Sequence, residues 1–217
     1  MRLLAIGLLC VAGAASASAG AAGINVEPYR TAAAAGAIGA VTGRIYEESK
    51  HPKAPDQPLS GAAVTVLPRS AEIIRKLEDI KRNSRNSMDD YRAAGPSMIA
   101  LRRAYENEVW EAGAVDLVRS TTADADGHFI VTDLPAGDWL LIATHAVKID
   151  KHATMGPPKQ TGVYAPKTHL TGYQRVTVWL RELKVETGRS ENVDLTDRGA
   201  WFSGIVEERA PDAGPPK

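Results

Sequence analysis

Cysteine is nearly absent: the 217 residues contain one, Cys10. A disulfide-stapled fold, a thiolate metal site and a catalytic thiol beyond the N-terminal apolar run are therefore excluded. Aromatic residues are scarce, 6% of the chain with two Phe, so the core must be mainly aliphatic. Excess charge of either sign is missing as well. The 26 Lys and Arg balance 26 Asp and Glu, which excludes a strongly basic nucleic-acid binder. There is no G-x-S-x-G elbow, no H-E-x-x-H and no Walker loop, so neither catalytic residues nor a cofactor are expected.

The one long uncharged stretch lies at the N-terminus. Arg2 precedes the apolar run Leu3 to Val11, and Ala15-Ser16-Ala17 and Ala17-Ser18-Ala19 follow as small-x-small cleavage sites. Residues 1–19 read as a secretory signal peptide, which places the mature chain in a periplasm or outside the cell with no transmembrane span left after cleavage. Lipidation of Cys10 is disfavoured by bulky Leu9 before it. Residues 20–38, rich in Ala and Gly, read as a flexible leader.

Beyond it, Val41 to Tyr46 and Ala62 to Leu67 are short β-branched runs. From Ser70 the period becomes helical through Ile73, Ile74, Leu77 and Ile80, with Glu72/Lys76 and Glu78/Arg82 set for side-chain pairing. Gly95 and Pro96 are expected to break this helix from a second one carrying Met98, Leu101, Tyr105 and Val109 on one face. Strand character returns at Val115 to Thr122, and the turn Asp124-Ala125-Asp126-Gly127 is expected to close a β-hairpin with His128 to Thr132. Trp139 to Ala146 reads as a strand buried on both faces, and Val176 to Leu180, Glu191 to Leu195 and Trp201 to Val206 as later strands. The predicted fold is mainly β: an antiparallel Greek-key β-sandwich of about seven strands over residues 39–208, with an inserted helical hairpin at 70–113 and a long loop at 147–171. Residues 209–217 read as a disordered tail.

Four pieces carry a family resemblance. They are Val41-Thr42-Gly43-Arg44-Ile45, Leu59-Ser60-Gly61-Ala62-Ala63-Val64-Thr65-Val66, Thr122-Ala123-Asp124-Ala125-Asp126-Gly127-His128-Phe129 and Leu134-Pro135-Ala136-Gly137-Asp138-Trp139. In order and in their glycines they resemble the carboxypeptidase regulatory-like domain, a transthyretin-like (prealbumin-like) β-sandwich; Trp139 stands where the family usually has tyrosine. Val185 to Leu195 looks like the family's last hairpin. The resemblance implies an exported, noncatalytic accessory or binding module. It transfers no ligand residues, because the shared motif shapes turns.

The candidate partner-binding residues are Lys148, Lys151, Lys159, Tyr164 and Lys167, a cationic and aromatic set within the long loop of a neutral protein. Such a surface suits an anionic envelope protein or a glycan, as in carbohydrate binding. Two other readings stand beside this one. The helical hairpin can make the chain a self-associating structural envelope component, and His145, His152 and His169, with Met155, can serve a metal-binding protein or metal-dependent enzyme. Their spacing matches no ligand pattern, so no metal is assigned. Asp124-x-Asp126-Gly127 begins like a calcium loop but lacks the later ligands, and reads as a turn. Trp179 is expected to pack under the helices, with Trp110 as its partner.

Overall fold

The computed structural model describes residues 25–51, 53–149 and 168–211. Residues 1–24, which include the segment read as a signal peptide, residue 52, residues 150–167 of the predicted long loop and the last six residues lie outside the described residues.

The fold is a β-sandwich with a helical third layer. The first sheet is built on β1 (Ile38–Glu47), which pairs with β5 (His128–Pro135) and with the two-residue β2 (Gln57–Pro58) in antiparallel fashion, and with β8 (Ser190–Thr196) in parallel. The second sheet has five strands in the order β4 (Arg119–Thr122), β3 (Ala63–Pro68), β6 (Gly137–Ile149), β7 (Thr168–Val185) and β9 (Phe202–Pro211), all antiparallel.

Strand alternation divides the apolar residues between two interfaces. Val64, Val66, Trp139, Leu141, Ala143, Trp179 and Leu183 of the second sheet fall on one face and meet Val41, Ile45, Phe129, Val131, Val193 and Leu195 of the first, all of them buried. The registered neighbours Leu67, Leu140, Ile142, Val176, Val178 and Phe202 fall on the other face, beneath the helices. Residues 139–143 are consequently buried on both sides, as their continuous apolar run predicts.

The helical layer is α2 (Ala71–Asn83) followed by α3 (Met88–Glu111). Ser70 caps α2 by accepting the Ile73 N–H, and Ser87 caps α3 by accepting the Asp90 N–H at 3.0 Å while donating to the Asp90 carboxylate at 2.7 Å. The break between the helices is therefore the turn at 84–87, not Gly95-Pro96, which lies inside α3. Gly95 is buried because β9 passes close by: a Cβ on it would stand 3.2 Å from Val206 Cγ2. Glu72 and Lys76 pair at 2.8 Å, whereas Glu78 binds Trp201 and Arg82 turns to Asp79 instead.

The tight turns change the expected connectivity. The Asp124 carboxylate accepts the N–H groups of Asp126 (2.9 Å) and His128 (2.8 Å), as its position predicts, but β4 belongs to the second sheet and β5 to the first. The segment is an arch from sheet to sheet rather than a β-hairpin. The turns at Ala136–Gly137 and Gly188 do the same, so β8 joins β1 instead of folding back on β7.

Three boundaries also differ from expectation. Within the segment read as a flexible leader, Glu27–Ala34 form α1, held by Tyr29, whose ring lies edge-on to Trp139 at 4.9 Å. The two ends of the long loop are strand, since β6 runs to Ile149 and β7 begins at Thr168. At the tail, β9 continues to Pro211 against His169 and Thr168. Polar composition hides these strand ends because they extend past the buried layers.

Candidate functional site

Of the predicted partner-binding residues, Lys148 is described; Lys151, Lys159, Tyr164 and Lys167 lie outside the described residues. Lys148 sits near the end of β6 with its side chain largely exposed and an ion pair to Glu208 at 3.7 Å. Gln174, opposite Lys148 in the ladder, also donates to Glu208. Of the candidate metal ligands, His145 lies on the opposite face of β6 from Thr144 and Ala146. Burial holds its imidazole below the ordinary range; the Arg175 charge acts in the same direction and a backbone hydrogen bond at Ser60 opposes them. Met155, His152 and the side chain of His169 are outside the description, and among the described residues no cluster of three metal-ligating side chains occurs.

Trp179 is wholly buried, but between the sheets: its indole N–H donates to the Thr196 carbonyl at 2.7 Å, on β8. Trp110 is 64% exposed and is not its partner. The tryptophan that meets the helices is Trp201, whose N–H donates to Glu78 of α2 at 2.7 Å and whose ring carries Lys81 Nζ at 4.6 Å.

Between the helical layer and the second sheet lies a cavity of about 380 Å³. Its floor is Ile142 and Thr144 of β6 with Val176, Val178 and Leu180 of β7, and its roof is Leu77 of α2 with Met98 and Ile99 of α3. Trp201 and Val206 line the β9 side, and small residues Gly61, Ala63 and Ala146 line the strand ends opposite. Lys148 and Gln174 follow on the same sheet face, so the cavity adjoins the end from which the 150–167 segment departs.

The polar groups on the lining are few. Arg102 and Arg103 project from α3, Gln174 from β7, and Thr144 contributes a hydroxyl. Arg102 is half-buried; its Nε lies 3.2 Å from Glu106 yet is withdrawn from solvent without a hydrogen bond. The cavity has the dimensions of a small-ligand site, which run from roughly 300 to 1,000 Å³. Its lining holds no carboxylate, histidine or cysteine among the described residues. It can enclose an apolar group and place a cation beside it.

No sequence pattern isolates this site, because its apolar lining residues match ordinary core positions. The adjacent pair Arg102-Arg103, one turn after Met98-Ile99, is the single local signal.

The sequence matches no family model and no curated protein. Similar solved structures include a provisionally assigned carbohydrate-binding protein from Pseudomonas aeruginosa (13% identity, 74% of this chain and 88% of that one, TM-score 0.38). Two others are the minor pilin of Streptococcus agalactiae (9% identity, 83% and 48% coverage, TM-score 0.31) and the pilus backbone of Streptococcus pneumoniae (15%, 74% and 41%, TM-score 0.28). The chain spans less than half the length of either pilus protein. No helix among the described residues is long and apolar enough to cross a membrane.

Proposed function

We propose that this chain is an exported, noncatalytic binding protein, with the sandwich as scaffold and the recognition site made by the parts inserted into it. The observation that carries the reading is the cavity of about 380 Å³ between the inserted helices and the five-stranded sheet. A filled helix–sheet interface would be expected if the insertion served only to cover the sheet. The resemblance to carboxypeptidase regulatory-like domains and the signal-peptide pattern of residues 1–19 support export and an accessory role. Titration with 1-aminoanthracene, a small apolar fluorophore, tests the site. Saturable binding to one site in the wild type, and its loss in Val178→Phe, is the expected result. Absence of saturable binding, or binding that survives the filled cavity, rejects it.

A second reading, recognition of an anionic envelope protein or glycan, is favoured by the β6–β7 ribbon that carries exposed Lys148 to the base of the 150–167 segment. Capture from envelope extract that is weakened by salt and lost in a Lys148/Lys151/Lys159/Lys167→Ala variant supports it. Capture that the variant retains rejects it.

A further inference from the structure

We infer that the helix–sheet cavity takes a single-chain amphiphile with an anionic head, the alkyl chain between α3 and the sheet and the head on Arg102 and Arg103. The inference rests on the cavity being a binding site and adds the chemistry of what binds.

The two parts of such a ligand meet two different walls. Leu77, Met98, Ile142, Val176, Val178 and Leu180 form most of the wall as an aliphatic surface, with Thr144 and Gln174 as the uncharged polar side chains beside it, so the enclosed part of a ligand is mainly hydrocarbon. The volume suits one alkyl chain rather than the two of a bilayer lipid. An oligosaccharide, which needs a hydrogen-bonding partner for most of its hydroxyls, is poorly served by this lining.

The guanidinium pair fixes the sign of the head. Arg102 and Arg103 are adjacent on α3, one turn beyond Met98 and Ile99, so cations border the aliphatic wall. The Arg102 Nε–H is out of contact with water and has no hydrogen-bond acceptor, although Glu106 at 3.2 Å shares its charge. Arg103 is exposed and has no ion pair among the described residues. Lys148 is a third cation on the same sheet face, and the acidic groups of the region, Glu106 and Glu208, are occupied by Arg102 and by Lys148 and Gln174 respectively. A carboxylate, sulfate or phosphate head would accept from the terminal N–H groups of the guanidinium in a planar fork, the Nε being closed off. A cationic head would meet like charge.

Calorimetric titration of the full mature chain with decanoate, 1-decanol and decyltrimethylammonium, all below micelle formation, separates the two parts. Decanoate is expected to bind one site at least tenfold more tightly than decanol, with the ammonium weakest. Across hexanoate, octanoate and decanoate, affinity should rise about fourfold per methylene until the cavity is filled. Arg102→Gln/Arg103→Gln should lose at least tenfold for decanoate and leave decanol within twofold, so that decanol binding itself reports an intact cavity. If that double variant binds neither, Arg103→Gln alone, at an exposed position, must still weaken decanoate selectively. Equal affinity for decanoate and decanol in the wild type, or a double variant that binds both as the wild type does, overturns the head-group assignment and leaves the apolar site standing. Failure of all three probes to bind overturns the assignment together with the reading on which it rests.

Discussion

Tyr29 stands edge-on to Trp139, its ring centroid 4.9 Å away, and its hydroxyl donates to the carbonyl of Asp138 while accepting the N–H of Arg69. A residue from an Ala- and Gly-rich leader thereby closes the end of the sandwich where β3 ends and β6 begins. Tyr29→Phe keeps the ring and removes both hydrogen bonds, for an expected loss of about 1–2 kcal/mol in urea unfolding. Tyr29→Ala also removes the edge contact and should cost roughly 3–5 kcal/mol. If Tyr29→Ala unfolds with the wild-type midpoint, α1 is not part of the cooperative unit.

Two buried tyrosines make stability fall in alkali. Burial raises the Tyr29 phenol above its ordinary value near 10, against the opposing backbone hydrogen bond from Arg69. Burial raises Tyr105 further, and its proximity to Tyr29 adds to the effect. Both folded-state values lie above those of the unfolded chain, so the unfolded state loses its protons first. The stabilisation is complete below about pH 10 and declines as pH rises through the folded-state values. Tyr105 donates to the Pro68 carbonyl at 2.8 Å, so Tyr105→Phe costs about 1 kcal/mol at neutral pH but should flatten the alkaline decline. Urea midpoints at pH 8 and 11 provide the check. An equal decline in Tyr29→Phe/Tyr105→Phe and wild type would show that other groups drive it.

Local geometry was legible in the sequence wherever one residue decides it. Asp124 and Gly127 define their turn whatever surrounds them, and the apolar period of Ile73, Leu77, Met98, Tyr105 and Val109 marks the buried face of two helices. Sheet membership is a different kind of fact. The same Asp-x-Asp-Gly turn can return a strand to its neighbour or carry it across the sandwich, and distant contacts decide between them, such as Ala123 N–H donating to the Ala62 carbonyl. Trp179 lies between the sheets rather than under the helices for a related reason: its alternation partners are clear, but which face the helices cover is set by tertiary packing. The cavity is invisible in the sequence because its volume belongs to the sum of six elements. Each of Ile142, Val178, Leu77 and Met98 has the pattern of a filled core.

Two glycines with nearly equal φ should respond very differently to alanine. Gly127 has φ +77° and Gly188 φ +70°. A Cβ on Gly188 would meet nothing within 4 Å, whereas one on Gly127 would overlap the Ile45 carbonyl oxygen. Gly188→Ala should cost about 1 kcal/mol, from backbone strain alone. Gly127→Ala must also displace β1 from the arch and should cost at least about 3 kcal/mol or prevent folding. Equal losses in thermal unfolding would show that steric overlap at the arch is relieved at no cost.

Pro96 offers a stabilising substitution. It occupies the interior of α3, on the solvent side, where its ring opposes the carbonyl one turn back and its nitrogen has no proton to donate. Gly95 before it is buried against Val206 and packs where no larger residue fits without adjustment. The two positions are thus separable: Gly95→Ala gains about 1 kcal/mol of helix propensity but presses on Val206, and should be close to neutral. Pro96→Ala restores one hydrogen bond without touching the sheet. It should stabilise the protein by roughly 1–3 kcal/mol, up to the full interior-proline penalty. Far-UV circular dichroism during urea unfolding reports both variants. A destabilised Pro96→Ala would mean that the proline backbone itself helps to seat Met98 and Ile99 over the cavity, and the loss should then appear equally in 1-aminoanthracene binding.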